Sequence, residues 1–554
     1  MKFEQAIVGI GLLSVMGLPM SGEAADSKSI TLKQIGRYSA GASTASDEPR
    51  AEIAAYDPAS KRLFSVNLNL RQLDVLDLSN PESQVLAPVQ TVPLGGKPNS
   101  VAVHDGIVAV AVEGLQKTDP GTVKFFNTSG ALLNTLTVGA LPDMLVFSPN
   151  GKWLLVANEG EPNSYNNNPM PSVDPEGSVS VIDMTPDVTS LTQLNVRTAT
   201  FSLAIPQENA SSIRIYGPNA TFAQDIEPEY ITVSRNSKTA WVTLQENNAI
   251  GILDIPTATF TKLVGLGFKN HSLTGNELDA SDRDVPGASN NGIINIRNWP
   301  VFGMYEPDAI ASYRVNGDTY LVTANEGDTR DYPPGFSEEA RAGTLTLDAA
   351  AFAAQGYPDI TTGETGLRNN DNLGRLTVTN VNGAKELDTD QEFERLYVPG
   401  GRSFSIRRAD GTLVYDSGDE LEQRTAALLP DLFNSQGDIA TFDTRSDNKG
   451  PEPEGVAIGK VSGRTYAFIG LERIGGVMVY DISKPTEPKF ATYINTAPTD
   501  LAPEGLFFIK KKDSPNGNPL IVVSHEVSNT VVVFEIERDS QDKDVEDDDD
   551  EGNR

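Results

Sequence analysis

In "PDMLVFSPNGKWLLVANEGEP", Pro142 to Pro162, the apolar positions fall in two short runs with a Pro-Asn-Gly turn between them. Runs of this length, rich in Leu, Val and Ala and joined by turn residues, predict a β-hairpin. An acid, Asp143, opens the hairpin, and a second, Glu159, closes it. The same pattern recurs in "EPEYITVSRNSKTAWVTLQEN", "EPDAIASYRVNGDTYLVTANEG", "EPEGVAIGKVSGRTYAFIGLER" and "APEGLFFIKKKDSPNGNPLIVVSHE". A third apolar run often follows and ends in Asp or an analogue, as in "LDVLDLS", "VKFFNTS", "VSVIDMT", "IGILDIP", "VMVYDIS" and "VVVFEIE".

Aligned this way, copies of one unit start at Glu52, Asn99, Asp143, Glu229, Asp308, Glu454 and Glu504. The second run ends in Glu113, Glu159, Glu246, Glu326, Glu472 or Glu526, with Asn67 near that place in the first copy. Small sheets of about four strands repeated around an axis predict an all-β fold, a seven-bladed β-propeller. The strand "SITLKQIGRYS" (Ser29 to Ser39) has no unit of its own, and the last unit lacks an outer strand. The N-terminal strand is therefore expected to pair beside Val531 to Phe534 and close the ring. The propeller would span 29–537, with insertions at about 270–305, 329–400 and 419–450. Within the long fifth interval, "RSFSIRRADGTLVYDSG" (Arg402 to Gly418) reads as the missing third and fourth strands. The rest is polar, with helical patches such as "LDAAAFAAQG", and reads as loops over one face.

A hairpin returns its second strand to the side from which the first departed, so both acids of a unit share one face. The turns at Asn150, Asn236, Asn316, Ser462 and Asn516 belong on the other. The first strand of a blade is innermost. Asp143, Glu159, Glu229, Glu246, Asp308, Glu326, Glu454, Glu472, Glu504 and Glu526 are thus expected to crowd around one mouth of the central channel. Two unit charges about 6 Å apart repel by under 1 kcal/mol in water and several-fold more where water is scarce. Raised pKa values, basic partners or bound cations would relieve the crowding. The basic residues close to these turns are Arg50, Lys97, Arg330, Lys449 and Arg473.

Composition narrows the choice. A formal net charge of −32 argues against nucleic acid and anionic membranes and favours cations as partners. There are no cysteines and only three histidines, His104, His271 and His525. Ligands would be oxygens, which suits Ca²⁺ first and Mg²⁺ or Mn²⁺ as alternatives, rather than Zn²⁺. Two loops add acids: Asp279, Asp282 and Asp284 in "LDASDRD", and Asp447, Glu452 and Glu454 around Lys449 in "RSDNKGPEPEG". The plainer reading is structural: strand-end acids cap backbone N–H groups and fix blade packing, and polar loops are solvated.

Residues 1–25 read as an export signal, with Lys2, a short apolar core and small residues near Ala24. No other segment is apolar enough to cross a bilayer. Residues 538–554 form an acidic tail. The mature chain is expected to be an exported monomer, periplasmic or extracellular.

"ANEGEPNSYN", "ASDRD…WPVFGMYEPDAIAS", "ANEGDTRDY", "FSIRRADGTLVYDSGDELE" and "RSDNKGPEPEGV" resemble the choice-of-anchor I family over roughly Ile30 to Glu537. That family includes bacterial exported proteins and mesenchyme-specific cell-surface glycoproteins of animal biomineralisation. The resemblance implies a propeller in an exported or surface setting and a link to Ca²⁺ or phosphate. The C-terminal "DDDDEGNR" departs from the surface anchor that relatives often carry. Two functions follow. In the first, the acidic mouth holds divalent cations and presents the disc to a mineral, polysaccharide or protein. In the second, suggested by relatives labelled alkaline phosphatase, the ions clamp a phosphate ester. Metal-activated water attacks in line, and Arg330, Lys449 or Arg473 stabilises the developing charge. No nucleophile elbow, Walker loop or Cys/His pair is present, and no ligands for a haem or quinone cofactor stand out.

Overall fold

The computed structural model describes residues 30–40, 53–165, 172–285, 292–333, 335–385 and 391–538. The expected signal peptide, Arg50, Glu52 and the acidic tail past Arg538 lie outside the described residues.

The fold is all-β, and antiparallel sheets of four strands follow one another along the chain, two of them extended by a short parallel fifth strand. Their first strands are Ala54–Asp57, Pro98–His104, Pro142–Phe147, Pro228–Val233, Ile310–Val315, Pro453–Val461 and Pro503–Ile509. The third sheet is typical: Pro142–Phe147, Trp153–Asn158, Ser178–Asp183 and Val196–Thr200 pair in chain order. Each first strand lies against the first strand of the next sheet, which is the stacking of a propeller.

Packing on both faces explains why the second strands read as continuous apolar runs rather than alternating ones. Leu154 to Asn158 are all buried. On one face Leu155 meets Val242 and Leu244 of the next sheet; on the other Leu154 and Val156 meet Ala109, Ala111 and Phe125 of the preceding one. The turns obey local rules. Asn316-Gly317 and Ser462-Gly463 both take left-handed φ at two successive positions (53° and 96°, 56° and 78°), the pattern of a type I′ hairpin turn.

The N-terminal strand Ile30–Ser39 pairs antiparallel with Thr530–Arg538, and Ile30 to Gln34 oppose Arg538 to Phe534. It thereby becomes the fourth strand of the sheet that begins at Pro503. In the fifth sheet, Ser403–Arg408 and Leu413–Asp416 follow Asp318–Asn325, so the chain leaves after the second strand and returns for the third.

The inserted segments differ from the loops expected of them. Phe268–Asn270 pairs with Val301–Met304, which pairs in turn with Leu396–Val398, joining two insertions into one sheet. Glu339–Arg341 pairs with Thr377–Thr379. Ala349–Ala354 is a helix N-capped by the Asp348 carboxylate, and Glu420–Leu428 is another. Leu278, Trp299, Val301, Phe352, Leu373, Leu376, Val378 and Val398 form a separate hydrophobic core. These apolar residues are scattered thinly over more than a hundred positions, so no local window displays them. Among the described residues no helix is long and apolar enough to cross a membrane.

Candidate functional site: a carboxylate-lined mouth

The convergence of the acids begins with a proline. Pro142 pairs with Asn158, but the register slips before Leu145, so Asp143 lies in a β-bulge. The same slip follows Pro228 opposite Leu244, Pro453 opposite Leu471 and Pro503 opposite His525, placing Glu229, Glu454 and Glu504 alike. Proline withholds the N–H that would continue the ladder, and the bulge re-aims the next side chain. A backbone clamp holds each open end. The N–H of Glu159 donates to the carbonyl of Leu141 (2.9 Å), that of Glu472 to Glu452 (2.8 Å) and that of Glu526 to Ala502 (2.8 Å). The three acceptors, each just before the proline, have left-handed φ of 47°, 50° and 59°. Such backbone costs roughly 1–3 kcal/mol per position and persists where surrounding contacts over-determine it.

Three carboxylate triads result. In each of Glu159, Glu229 and Glu246; Asp308, Glu454 and Glu504; and Glu326, Glu454 and Glu472, one oxygen per residue lies within 4.8 Å of the others. Glu454 belongs to two of them. Asp143, Glu159, Asp308, Glu504 and Glu526 are half-buried, and the other five are buried. Glu229 (8 % exposed), Glu246 (4 %) and Glu454 (9 %) each bury an oxygen, Oε2, that no hydrogen bond satisfies.

Charge is sorted at the mouth. The acids before the prolines, Glu227, Glu306 and Glu452, each hold a cation, buried for the first two and half-buried for Glu452. Glu227 accepts from Arg330 at 2.8 Å and Glu306 from Arg214 at 2.6 Å. Glu452 is bound by Arg445 (2.5 Å) and Arg473 (3.2 Å), with Lys449 at 3.5 Å. Burial alone would raise Glu452, but Lys449, Arg445 and Arg473 hold it down to about 2. The acids after the prolines have no such partner: among the described residues, no ion pair includes Asp143, Glu229, Asp308, Glu454 or Glu504. Of the trailing Glu residues, Glu326 takes Lys449 (2.5 Å) and Glu472 takes Arg473 (2.9 Å).

The crowded acids raise one another. Burial, then repulsion from Glu113 and Glu161, pushes Asp143 up to about 7. Burial takes Glu504 to about 8, with Glu526, Glu326 and Asp143 adding repulsion against a hydrogen bond from Glu454 that lowers it. Burial and mutual repulsion hold Glu159, Glu229, Glu246, Asp308, Glu454 and Glu472 well above the usual carboxylate range, and Glu526 is raised as well. Asp143, Asp308 and Glu504 come from different sheets yet repel one another.

The three cations expected to meet a developing negative charge are all committed to protein acids. Arg330 is 1 % exposed and bound to Asp225 (2.9 Å) and Glu227. Lys449 bonds Glu326 and the carbonyl of Gly327 (2.6 Å), and Arg473 bridges Glu452 and Glu472. The loop acids are structural staples. Asp279 accepts the N–H groups of Asn295 (2.6 Å) and Ser281, and Asp284 accepts Ile293 N–H (2.9 Å) and Asn295 Nδ2 (2.7 Å). Asp282 and Asp447 are joined through Arg375 (2.7 and 2.5 Å). His525 is buried beside Glu526, and burial lowers it to about 4.

Glu227, Glu306, Glu338, Asp328, Glu161, Arg214 and Tyr332 were missed by the sequence reading. "EPEY" and "EPDA" display Glu227 and Glu306 openly, as the residue before each proline. Arg214 and Glu338 carry no such signal: they meet across 124 positions, and Glu338 also accepts from Tyr216 and Thr379. Burial pushes Asp328 up to about 6, with Lys449 opposing and Glu326 adding. Tyr332 donates to Glu161 (2.8 Å), which also pairs with Lys117.

Two curated proteins are similar. A mesenchyme-specific cell surface glycoprotein of Strongylocentrotus purpuratus is 28% identical over 297 residues, 48% of this chain and 36% of that protein. Gigasin-3a of Magallana gigas is 32% identical over 186 residues, 30% of this chain and 64% of that protein. The matches therefore span less than two thirds of either relative's length. Among solved structures, Kuenenia stuttgartiensis hydrazine synthase matches 90% of this chain and 99% of its own, at 14% identity and a TM-score of 0.43. The Cps50 (Swd1) β-propeller domain of Myceliophteria thermophila matches 88% and 97%, at 9% identity and a TM-score of 0.40. The choice-of-anchor I domain model matches residues 52–485, most of the sheets and the whole of the inserted region, and the chain belongs to that family.

Proposed function

We propose that the chain is a seven-bladed β-propeller closed by its N-terminal strand, which binds divalent cations, Ca²⁺ above all, at the carboxylate mouth. It acts as a surface or extracellular binding protein. Closure is supported by the contact of Pro503–Ile509 with Ala54–Asp57 and by the packing of Tyr56 and Leu63 with Val522 and Val533. The surface setting is supported by the family and by the name of the sea-urchin relative.

One observation carries the cation reading: carboxylates clustered within 4.8 Å with buried, unsatisfied oxygens on Glu229, Glu246 and Glu454. Ca²⁺ takes oxygen ligands at about 2.3–2.6 Å, so donors on one ion stand up to about 5 Å apart, which the triads match. Mg²⁺ demands a tighter octahedron, and Mn²⁺ accepts the same donors. Bound ions would displace the protons that the mouth otherwise retains and leave coordination positions for an anionic mineral or polysaccharide. Phosphoesterase chemistry is the weaker reading, because Arg330, Lys449 and Arg473 are all committed to internal acids.

Elemental analysis of the purified protein, followed by calorimetric Ca²⁺ titration of chelator-stripped and desalted protein, tests this. Metal in the purified protein and saturable Ca²⁺ binding, weakened by Glu454→Gln, are expected. Metal-free protein that takes up no Ca²⁺ refutes the reading.

A further inference from the structure

A second cavity, within the inserted region, has the opposite electrostatic character. It is an open cleft of about 520 Å³ lined by Arg283, Arg341, Arg368 and Arg375, with a single acid, Asp371. Four guanidinium groups converging in a chain of formal charge −32 are not explained by composition.

The framework fixes these arginines without exhausting them. Arg375 bonds Asp282 through Nε (2.7 Å) and Asp447 through Nη2 (2.5 Å). Arg341 donates through Nη1 to Asp447 Oδ2 (3.0 Å), and Arg368 through Nε and Nη1 to the carbonyls of Ile360 (2.8 Å) and Leu345 (2.7 Å). Among the described residues, Nη2 of Arg341 and Nη2 of Arg368 make no hydrogen bond. Among the described residues, the Arg283 side chain makes only a 3.8 Å approach to Asp282. Asp282, Asp447 and Asp371 offset three of the four charges, leaving positive charge and free donor edges. Held this way, the donors need little reorganisation to meet an oxyanion, and the guanidinium fork suits phosphate or carboxylate.

The rest of the lining is threonine, asparagine and glycine, with no apolar side chain. The volume is that of a small-molecule site and well above what a bare phosphate fills. An occupant must therefore combine a charged oxyanion with hydroxyl groups for Thr344, Thr362 and Asn370. We propose that this cavity binds a small anionic sugar, a sugar phosphate or a sugar acid. The site is separate from the carboxylate mouth and does not depend on its cations.

The test is calorimetry on chelator-stripped, desalted protein at low salt with glucose 6-phosphate, glucuronate, glucose and inorganic phosphate as probes. At least one of the two anionic sugars should bind, with glucose weaker by about tenfold or more and affinity falling as salt rises. Which one binds distinguishes phosphate from carboxylate. Arg283→Gln removes a charge held by no hydrogen bond, and Thr362→Trp fills the cavity from an exposed position. Each should weaken binding by about tenfold with an unchanged melting temperature. Three results overturn the proposal: neither anionic sugar binds, both variants bind as the parent does, or inorganic phosphate binds as tightly as the sugars.

Discussion

Raising the pH of the metal-free protein should destabilise it, against the usual expectation for an acidic chain near neutrality. Asp143 and Glu504 have ordinary values of 3.8 and 4.5 and are raised to about 7 and about 8 in the fold. A carboxyl raised in the folded state contributes stability that is present at low pH and lost as pH climbs through the folded value. Between about pH 6.5 and about pH 8.5 the unfolded carboxyls are already ionised, so only the folded state releases protons. Integrated over that window, Asp143 loses roughly 0.6 and Glu504 roughly 1.4 units, together about 3 kcal/mol at about 1.4 kcal/mol per unit. The six other carboxyls held well above the usual carboxylate range add to the fall. His271 and His525 are kept neutral by burial and oppose it by less than about 1 kcal/mol together, because an unfolded histidine is already half-titrated at the lower edge. At about 2 cal/mol/K per residue over roughly 500 residues, the melting temperature should drop by about 3 °C or more. Calorimetric scans of chelated protein at the two pH values measure it. Saturating Ca²⁺ should abolish the drop and stabilise more at the higher pH, where it no longer competes with protons. A melting temperature that holds or rises from about pH 6.5 to about pH 8.5 without metal would refute the reasoning.

Replacing Glu454 and Glu504 together by Gln removes the repulsion while keeping shape: metal-free melting should rise and the Ca²⁺ response shrink, as thermal scans with and without Ca²⁺ would report. Glu452→Ala should do the reverse, costing about 1–3 kcal/mol by removing the acceptor shared by the half-buried Arg445, Lys449 and Arg473, of which Lys449 and Arg473 keep Glu326 and Glu472; denaturant titration measures it. Deleting residues 30–39 uncovers the edge strand Thr530–Arg538 and removes buried Ile30, Ile35 and Tyr38. At least about 5 kcal/mol should be lost and self-association should follow, seen in melting and size-exclusion profiles.

The hairpins were legible because their rules are local. Apolar runs, Asn-Gly and Ser-Gly turns and a proline before an acid sit within about twenty residues of one another, and strand pairing follows from them. The clustering of these acids was legible for the same reason, since a hairpin must bring its two ends together and a repeated unit repeats the placement. The partner of the N-terminal strand, at the other end of the chain, could be named only because one repeat lacked an edge. What the sequence could not determine is which acids are neutralised. Glu452 and Glu454 are two residues apart and alike in type, yet one is held down by three cations and the other is raised by its neighbours. Arg330 looked like a cation for the mouth, and the fold buries it on Asp225 and Glu227 more than a hundred positions away. The core of the inserted region escaped notice likewise, its apolar residues being spread too thinly for any period. Electrostatic pairing and sparse cores depend on distances across the folded chain, and only the tertiary structure brings those residues within reach.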